Sequence, residues 1–156
     1  MKFTLIKQSC LIGIFMSLLS FSAASQNVAG LQSIQSNYDV ATTATRLEGI
    51  LAESGMKVFA RIDHAAGAAK IGETLRPTEL VIFGNPKVGT KLMQCAQTAG
   101  IDLPMKALVW EDEAGVTWVS YNEGDYIKSR HSLEGCDGVI EKVNNALKSF
   151  STTAAT

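Results

Sequence analysis

Two strand-like runs, residues 106–110 and 116–121, stand on either side of Asp112-Glu113-Ala114-Gly115. That spacing narrows the folds open to the chain more than any other feature. Asp and Gly supply the local hydrogen bonding and the backbone freedom of a tight turn. A connection this short joins only antiparallel strands, because a parallel pair requires a crossover of a dozen residues or more. A doubly wound parallel sheet is therefore disfavoured. The expected class is α+β: a single-domain sandwich, with helices packed on a small, mostly antiparallel sheet.

The other elements follow from hydrophobic period and punctuation. A short strand is expected over 31–36. Val40, Ala44, Leu47, Ile50 and Leu51 recur at helical spacing, which predicts a helix over 41–54 closed by Gly55. A strand over 56–63 and a short alanine-rich helix over 64–72 come next. The strand at 79–83 starts after Pro77 and stops at Gly84-Asn85-Pro86. A helix over 87–99, with Leu92, Cys95, Ala96 and Ala99 on one face, ends at Gly100. Beyond the hairpin, helices are expected over 126–131 and 137–150. Asp137 would cap the last, and Val139, Ile140, Val143, Leu147 and Phe150 form its apolar stripe. Residues 151–156 are small and polar and read as a flexible, frayed tail.

The start of the chain points to export. Lys2 and Lys7 precede an uncharged apolar run over 11–21, and Ser22-Ala23-Ala24 is a small-x-small cleavage site. The run is shorter than the ~20 residues of a spanning helix. The expected division is a signal peptide over 1–24, an N-terminal segment over 25–40 and one α+β domain over 41–150. Cys10 lies ahead of the apolar run and leaves with the signal. Loss of Lys2 and Lys7 leaves 12 basic against 15 acidic residues, a formal charge of −3. No basic stripe marks a nucleic-acid partner, and no second apolar run is long enough for a stable membrane span. The expected location is periplasmic or secreted.

Three constellations could carry chemistry. Gly84-Asn85-Pro86-Lys87-Val88-Gly89-Thr90-Lys91 follows a strand and opens a helix. It approaches a P-loop but ends Gly-Thr-Lys where the motif needs Gly-Lys followed by Ser or Thr. Pro86 also removes one amide from the cradle, so nucleotide hydrolysis is set aside. Two readings remain: an anion held by free amides at the helix start beside Lys87, Thr90 and Lys91, or a plain tight turn stabilised by Gly, Asn and Pro. Asp63-His64 sits at a strand end, where an imidazole beside a carboxylate can serve as a base or a metal ligand. The bland alternative has His64 packing or capping the helix that follows. His131, 67 residues on, suits the C-terminal end of a helix dipole. Cys95 and Cys136 are the cysteines left after cleavage. Export permits a disulfide between them, with two buried free thiols as the alternative. There is no Cys-x-x-Cys and no nucleophile-elbow motif.

Several segments, in order, carry a family likeness. They are Phe59-Ala60-Arg61-Ile62-Asp63-His64, Leu80-Val81-Ile82-Phe83-Gly84-Asn85-Pro86-Lys87, Gly100-Ile101-Asp102-Leu103-Pro104-Met105-Lys106, Val109-Trp110-Glu111-Asp112 and Val119-Ser120-Tyr121-Asn122. Over residues 55–133 the chain resembles the domain-of-unknown-function 302 family. The resemblance implies a compact α+β domain for which a homodimer is an expected state. It implies no activity. The family's shared residues fall here on His64, Asn85, Pro86, Lys87 and Pro104, with no role assigned to any.

The leading expectation is a periplasmic module binding a small ligand or anion near His64, Asp63 and the Asn85-to-Thr90 turn, with Lys87 and Thr90 in the site. One alternative is an enzyme or redox carrier using His64 with a metal or haem. Another is a structural, partner-binding homodimer with Trp110, Trp118 and Tyr121 at its interface. Neither a cofactor nor a reaction is assigned.

Overall fold

The computed structural model describes residues 28–156. The expected signal peptide, its cleavage site and Cys10 lie outside the described residues. In chain order the elements are β1 (Leu31–Gln35), α1 (Val40–Glu53), β2 (Lys57–Asp63), α2 (His64–Ala69), β3 (Thr78–Gly84) and α3 (Pro86–Cys95). A 3-10 segment (Gln97–Ile101) follows, then β4 (Met105–Glu111), β5 (Thr117–Asn122), α4 (Gly124–His131) and α5 (Asp137–Ala155). Among the described residues no helix is long and apolar enough to cross a membrane.

The hairpin organises the sheet. Asp112 Oδ1 accepts from the amides of Ala114 and Val116, both at 2.9 Å, and its Oδ2 accepts from Trp118 Nε1 at 2.8 Å. These bonds, the indole's first and the Val116 amide's next, hold its carboxyl below the ordinary value. Gly115 supplies the positive φ, 76°, that closes the turn. The five strands run in the order β1-β5-β4-β3-β2, every neighbouring pair antiparallel. The fold is α+β.

Alternation along the strands decides which face is covered. Val81, Phe83, Ala107, Val109 and Val119 are buried against Leu47 and Leu51 of α1 and Ile140 and Leu147 of α5. Their neighbours on the opposite face, Leu80, Ile82, Leu108 and Trp110, are half-buried. Arg61 ties the edge strand β2 to α1. Its guanidinium pairs with the buried Glu79 carboxylate and donates to Glu48 and Thr45, each at 3.0 Å.

Four expectations about the chain's course need correction. The segment before α1 is part of the domain, because β1 pairs with β5 from Leu31↔Asn122 to Gln35↔Trp118. The helix expected over 87–99 breaks at Ala96, whose extended backbone (φ −151°, ψ 115°) starts the 3-10 segment. The break redirects the chain so that both Leu92 and Ala99 are buried while Cys95 is exposed. The expected frayed tail instead continues α5 to Ala155, with Ser151, Ala154 and Ala155 buried. Asp137 is the first helical residue rather than the cap, a position held by Cys136, and it pairs with Lys128.

Candidate functional site

At the end of β3 the chain must turn sharply. Asn85 does this as N-cap of α3, with Pro86 at the first helical position, where a missing amide costs nothing. The amides there are all engaged. Lys87 N donates to Asn85 Oδ1 at 2.9 Å, and Val88 N and Gly89 N donate to the Asn85 carbonyl at 2.9 and 3.0 Å. Pro86 has none to give. The start of α3 therefore offers no free amide to an anion, and the turn reading of this segment is the one the geometry carries.

What the turn does is swing α3 across the end of the sheet. Between α3 and α5 lies a pocket of about 560 Å³. Val88, Gly89, Leu92 and Met93 of α3 form one wall, and Val143, Ala146, Leu147 and Phe150 of α5 form the other. Phe83 and Gly84 line it together with Leu103-Pro104-Met105, and Ser54, Met56 and Phe59 add to the lining. Phe59 reaches it through a register shift in the β2–β3 ladder between Val58 and Ala60, a bulge of the kind that re-aims a side chain. Its ring carries the Lys57 ammonium 5.2 Å from the centroid. The lining includes only four polar side chains, those of Ser54, Asn85, Thr90 and Lys142. Such a site suits an apolar body and not a bare ion.

His64 takes no part in it. Asp63 pairs with Glu79 at one end of the β2–β3 ladder, while Lys57 pairs with Gly84 at the other. Six residues of strand put His64 about 20 Å from the Asn85 turn. The structure therefore separates residues that were expected to share a site. Asp63 caps α2 by accepting from Ala66 N at 2.8 Å, so the cap is the carboxylate and not the exposed His64. Among the described residues no group of three or more His, Cys, Asp and Glu could hold a metal ion. Lys87 is exposed on α3 outside the lining, whereas Asn85 and Thr90 contribute to it.

One feature was hidden from the sequence, and a second was left open by it. His131, assigned there to the helix dipole, is 7% exposed in its side chain. Its Nε2 lies 2.6 Å from Asp102 Oδ2 and its Nδ1 lies 3.1 Å from Thr98 Oγ1. Arg130 donates to the other Asp102 oxygen at 3.0 Å. The cluster ties α4 to the 3-10 segment and lines no part of the pocket. Nothing at a spacing of 29 residues announces it. The second is the disulfide that the sequence offered as one of two alternatives. Cys95 and Cys136 are bridged with their Cα atoms 6.4 Å apart, which joins the last residue of α3 to the N-cap residue of α5.

Comparison with known proteins places this geometry. The chain is 48% identical over 105 residues to the fluoride-specific ion channel FluC 1 of Brucella suis, covering 67% of this chain and 41% of that protein. The likeness to FluC 1 of Brucella abortus and FluC 2 of Brucella melitensis is the same in identity, covering 39% of each. The chain thus spans about two fifths of the length of the curated relatives it matches. The crystal structure of an uncharacterized conserved protein DUF302 from Bacillus stearothermophilus superimposes with a TM-score of 0.74 at 15% identity, over 81% of this chain and 99% of that one. At that identity the likeness shows the fold alone. Residues 32–150 match the family described as domain of unknown function DUF302, and the chain belongs to that family.

Proposed function

We propose that this chain is an exported, periplasmic binding module that takes a small, largely apolar ligand in the pocket between α3 and α5. The pocket itself carries the reading. Its volume falls in the ~300–1,000 Å³ range of small-molecule sites, and its walls are apolar side chains with a few polar groups at hand. Phe59 and Met93 stand 47% and 38% exposed where they line it, so the apolar surface is continuous from inside to solvent. Export rests on the basic, apolar and small-x-small succession over residues 1–24. The fluoride-channel name belongs to the longer Brucella proteins, and an apolar pocket gives no reason to carry it over.

The neutral fluorophore N-phenyl-1-naphthylamine provides the test, since its emission rises in apolar surroundings. The wild-type protein is expected to bind it at micromolar concentration. Ala146→Trp, which fills the pocket, should weaken binding at least tenfold, while His64→Ala leaves it unchanged. Undiminished binding by folded Ala146→Trp protein would sink the proposal. A mature N-terminus other than one near Ser25, or recovery from the cytoplasm, would remove the periplasmic part.

A second reading concerns the uncovered sheet face. Leu80, Ile82 and Leu108 form an apolar stripe across β3 and β4 that helices α1 and α5 leave half-exposed. Such a face suits an isologous homodimer. Tyr121 cannot join it, because that side chain is in the core, and Trp110 and Trp118 spend their indole N–H groups on Ser120 and Asp112. Light scattering should find a dimer in the wild type and a folded monomer for Ile82→Glu. A monomeric wild type ends this reading.

A further inference from the structure

We infer that the pocket's ligand is an anionic amphiphile: a flexible apolar chain held among methionines, ending in a negatively charged head beside Lys142. The inference rests on the pocket reading above and adds the ligand's chemistry to it. Two observations bear on the chain. Met56, Met93 and Met105 are all the methionines among the described residues, and all three line this pocket. Methionine is unbranched and adjusts its shape at little cost, so it suits a ligand that is itself flexible.

Two further observations bear on the head. Among the described residues no Asp or Glu lines the pocket, and Lys142 is the one charged residue that does. Lys142 is exposed on α5 and makes no ion pair among the described residues. Another partly exposed lining residue, Phe59, carries a second ammonium, that of Lys57. An apolar interior with cations at its edge and no lining carboxylate complements a molecule that is apolar along its length and negative at one end. The α3 amides are spent, so the head is met by side-chain ammonium groups and not by a helix terminus. A free carboxylate and a single-chain phospholipid share this chemistry.

Displacement of N-phenyl-1-naphthylamine by dodecanoate, dodecanol and a single-chain lauroyl lysophosphatidylglycerol, each below its micelle concentration, tests the inference. A partly exposed ion pair is worth about twofold to fivefold in affinity. The ratio of dodecanoate to dodecanol affinity should therefore fall by about that factor in Lys142→Met. It should shrink likewise in wild type when sodium chloride rises from 0.05 to 0.5 M. Lys142 lies on the surface, so its variant folds. A Lys142-dependent advantage in either anionic arm supports the inference, and the larger of the two identifies the source as free acid or membrane lipid. If dodecanol competes as well as both anionic arms, and Lys142→Met changes no ratio, the anionic head is overturned while apolar binding stands. If the fluorophore itself does not bind, both readings fall.

Discussion

Deletion of residues 151–156 is expected to lower the stability of the domain by about 3–5 kcal/mol. The segment looks dispensable, since Ser-Thr-Thr-Ala-Ala-Thr contains no large apolar side chain. Its position says otherwise. Arg46 of α1 donates from Nε to the Ala154 carbonyl at 2.9 Å and from its terminal nitrogen to the Thr153 carbonyl at 3.0 Å. The Asn37 amide, just before α1, donates to the Ala155 carbonyl at 2.9 Å. Ala154 and Ala155 are 0% exposed. Truncation strips partners from a guanidinium and an amide at once. A charged hydrogen bond contributes about 1.5–3 kcal/mol and an ordinary one about 0.5–1.5, while the small apolar burial adds less. Urea unfolding of the truncated and full-length chains measures the difference. Ala154→Asp, which keeps the full length but puts a charge where there is no room, should act in the same direction. A loss under about 1 kcal/mol in both variants would show that the last turn is as frayed as its composition suggests.

That contrast shows where sequence reasoning reaches and where it stops. The hairpin, α1 and the first part of α5 were legible because their signals are local. Period and turn chemistry act within a dozen residues, as with Val139, Ile140, Val143 and Leu147. The end of α5 carries no such stripe, because its buried residues are alanines and a serine whose neighbours come from the segment around Asn37. The break at Ala96 was invisible for a related reason. Leu92 and Ala99 keep helical spacing across it, although they belong to different elements.

The site shows the same limit in another form. His64 and Asn85 were both legible as ends of strands, but β2 and β3 are adjacent and antiparallel. The C-terminal ends of two such strands lie at opposite ends of their ladder, so the two residues do not meet in a common site. The pocket drew its lining from β2, β3, α3, the 3-10 segment, β4, α5 and the turns beside them, and the two facing walls, α3 and α5, lie about 50 residues apart in sequence, too far for any local pattern to join them. Lys142 is an exposed lysine of α5 that belongs to no motif in the sequence. Only the packing of α3 across the sheet's end makes it a lining residue.

Replacing Cys95 and Cys136 by alanine is expected to cost about 4 kcal/mol and to loosen the pocket as well. The bridged residues are 41 apart, and in the chain-entropy account a loop of that length stabilises by about 4 kcal/mol through restriction of the unfolded chain. The effect on binding has a separate cause. α3 begins at the sheet's end and packs chiefly on the 3-10 segment that follows it. The bridge fixes its far end to α5. Without the bridge the two pocket walls are held together by packing alone, and fluorophore affinity should fall about fivefold to tenfold. Urea unfolding and fluorophore titration, each with and without a reductant, read both effects in one protein. Reductant should shift the wild type and leave the double variant unmoved. Lower stability with unchanged affinity would assign the bridge to the unfolded state alone and leave α3 held by its own contacts. No shift on either axis would mean that the protein carries two free thiols. That result would also weaken the case for export, because an oxidising compartment is where such a bridge forms and persists.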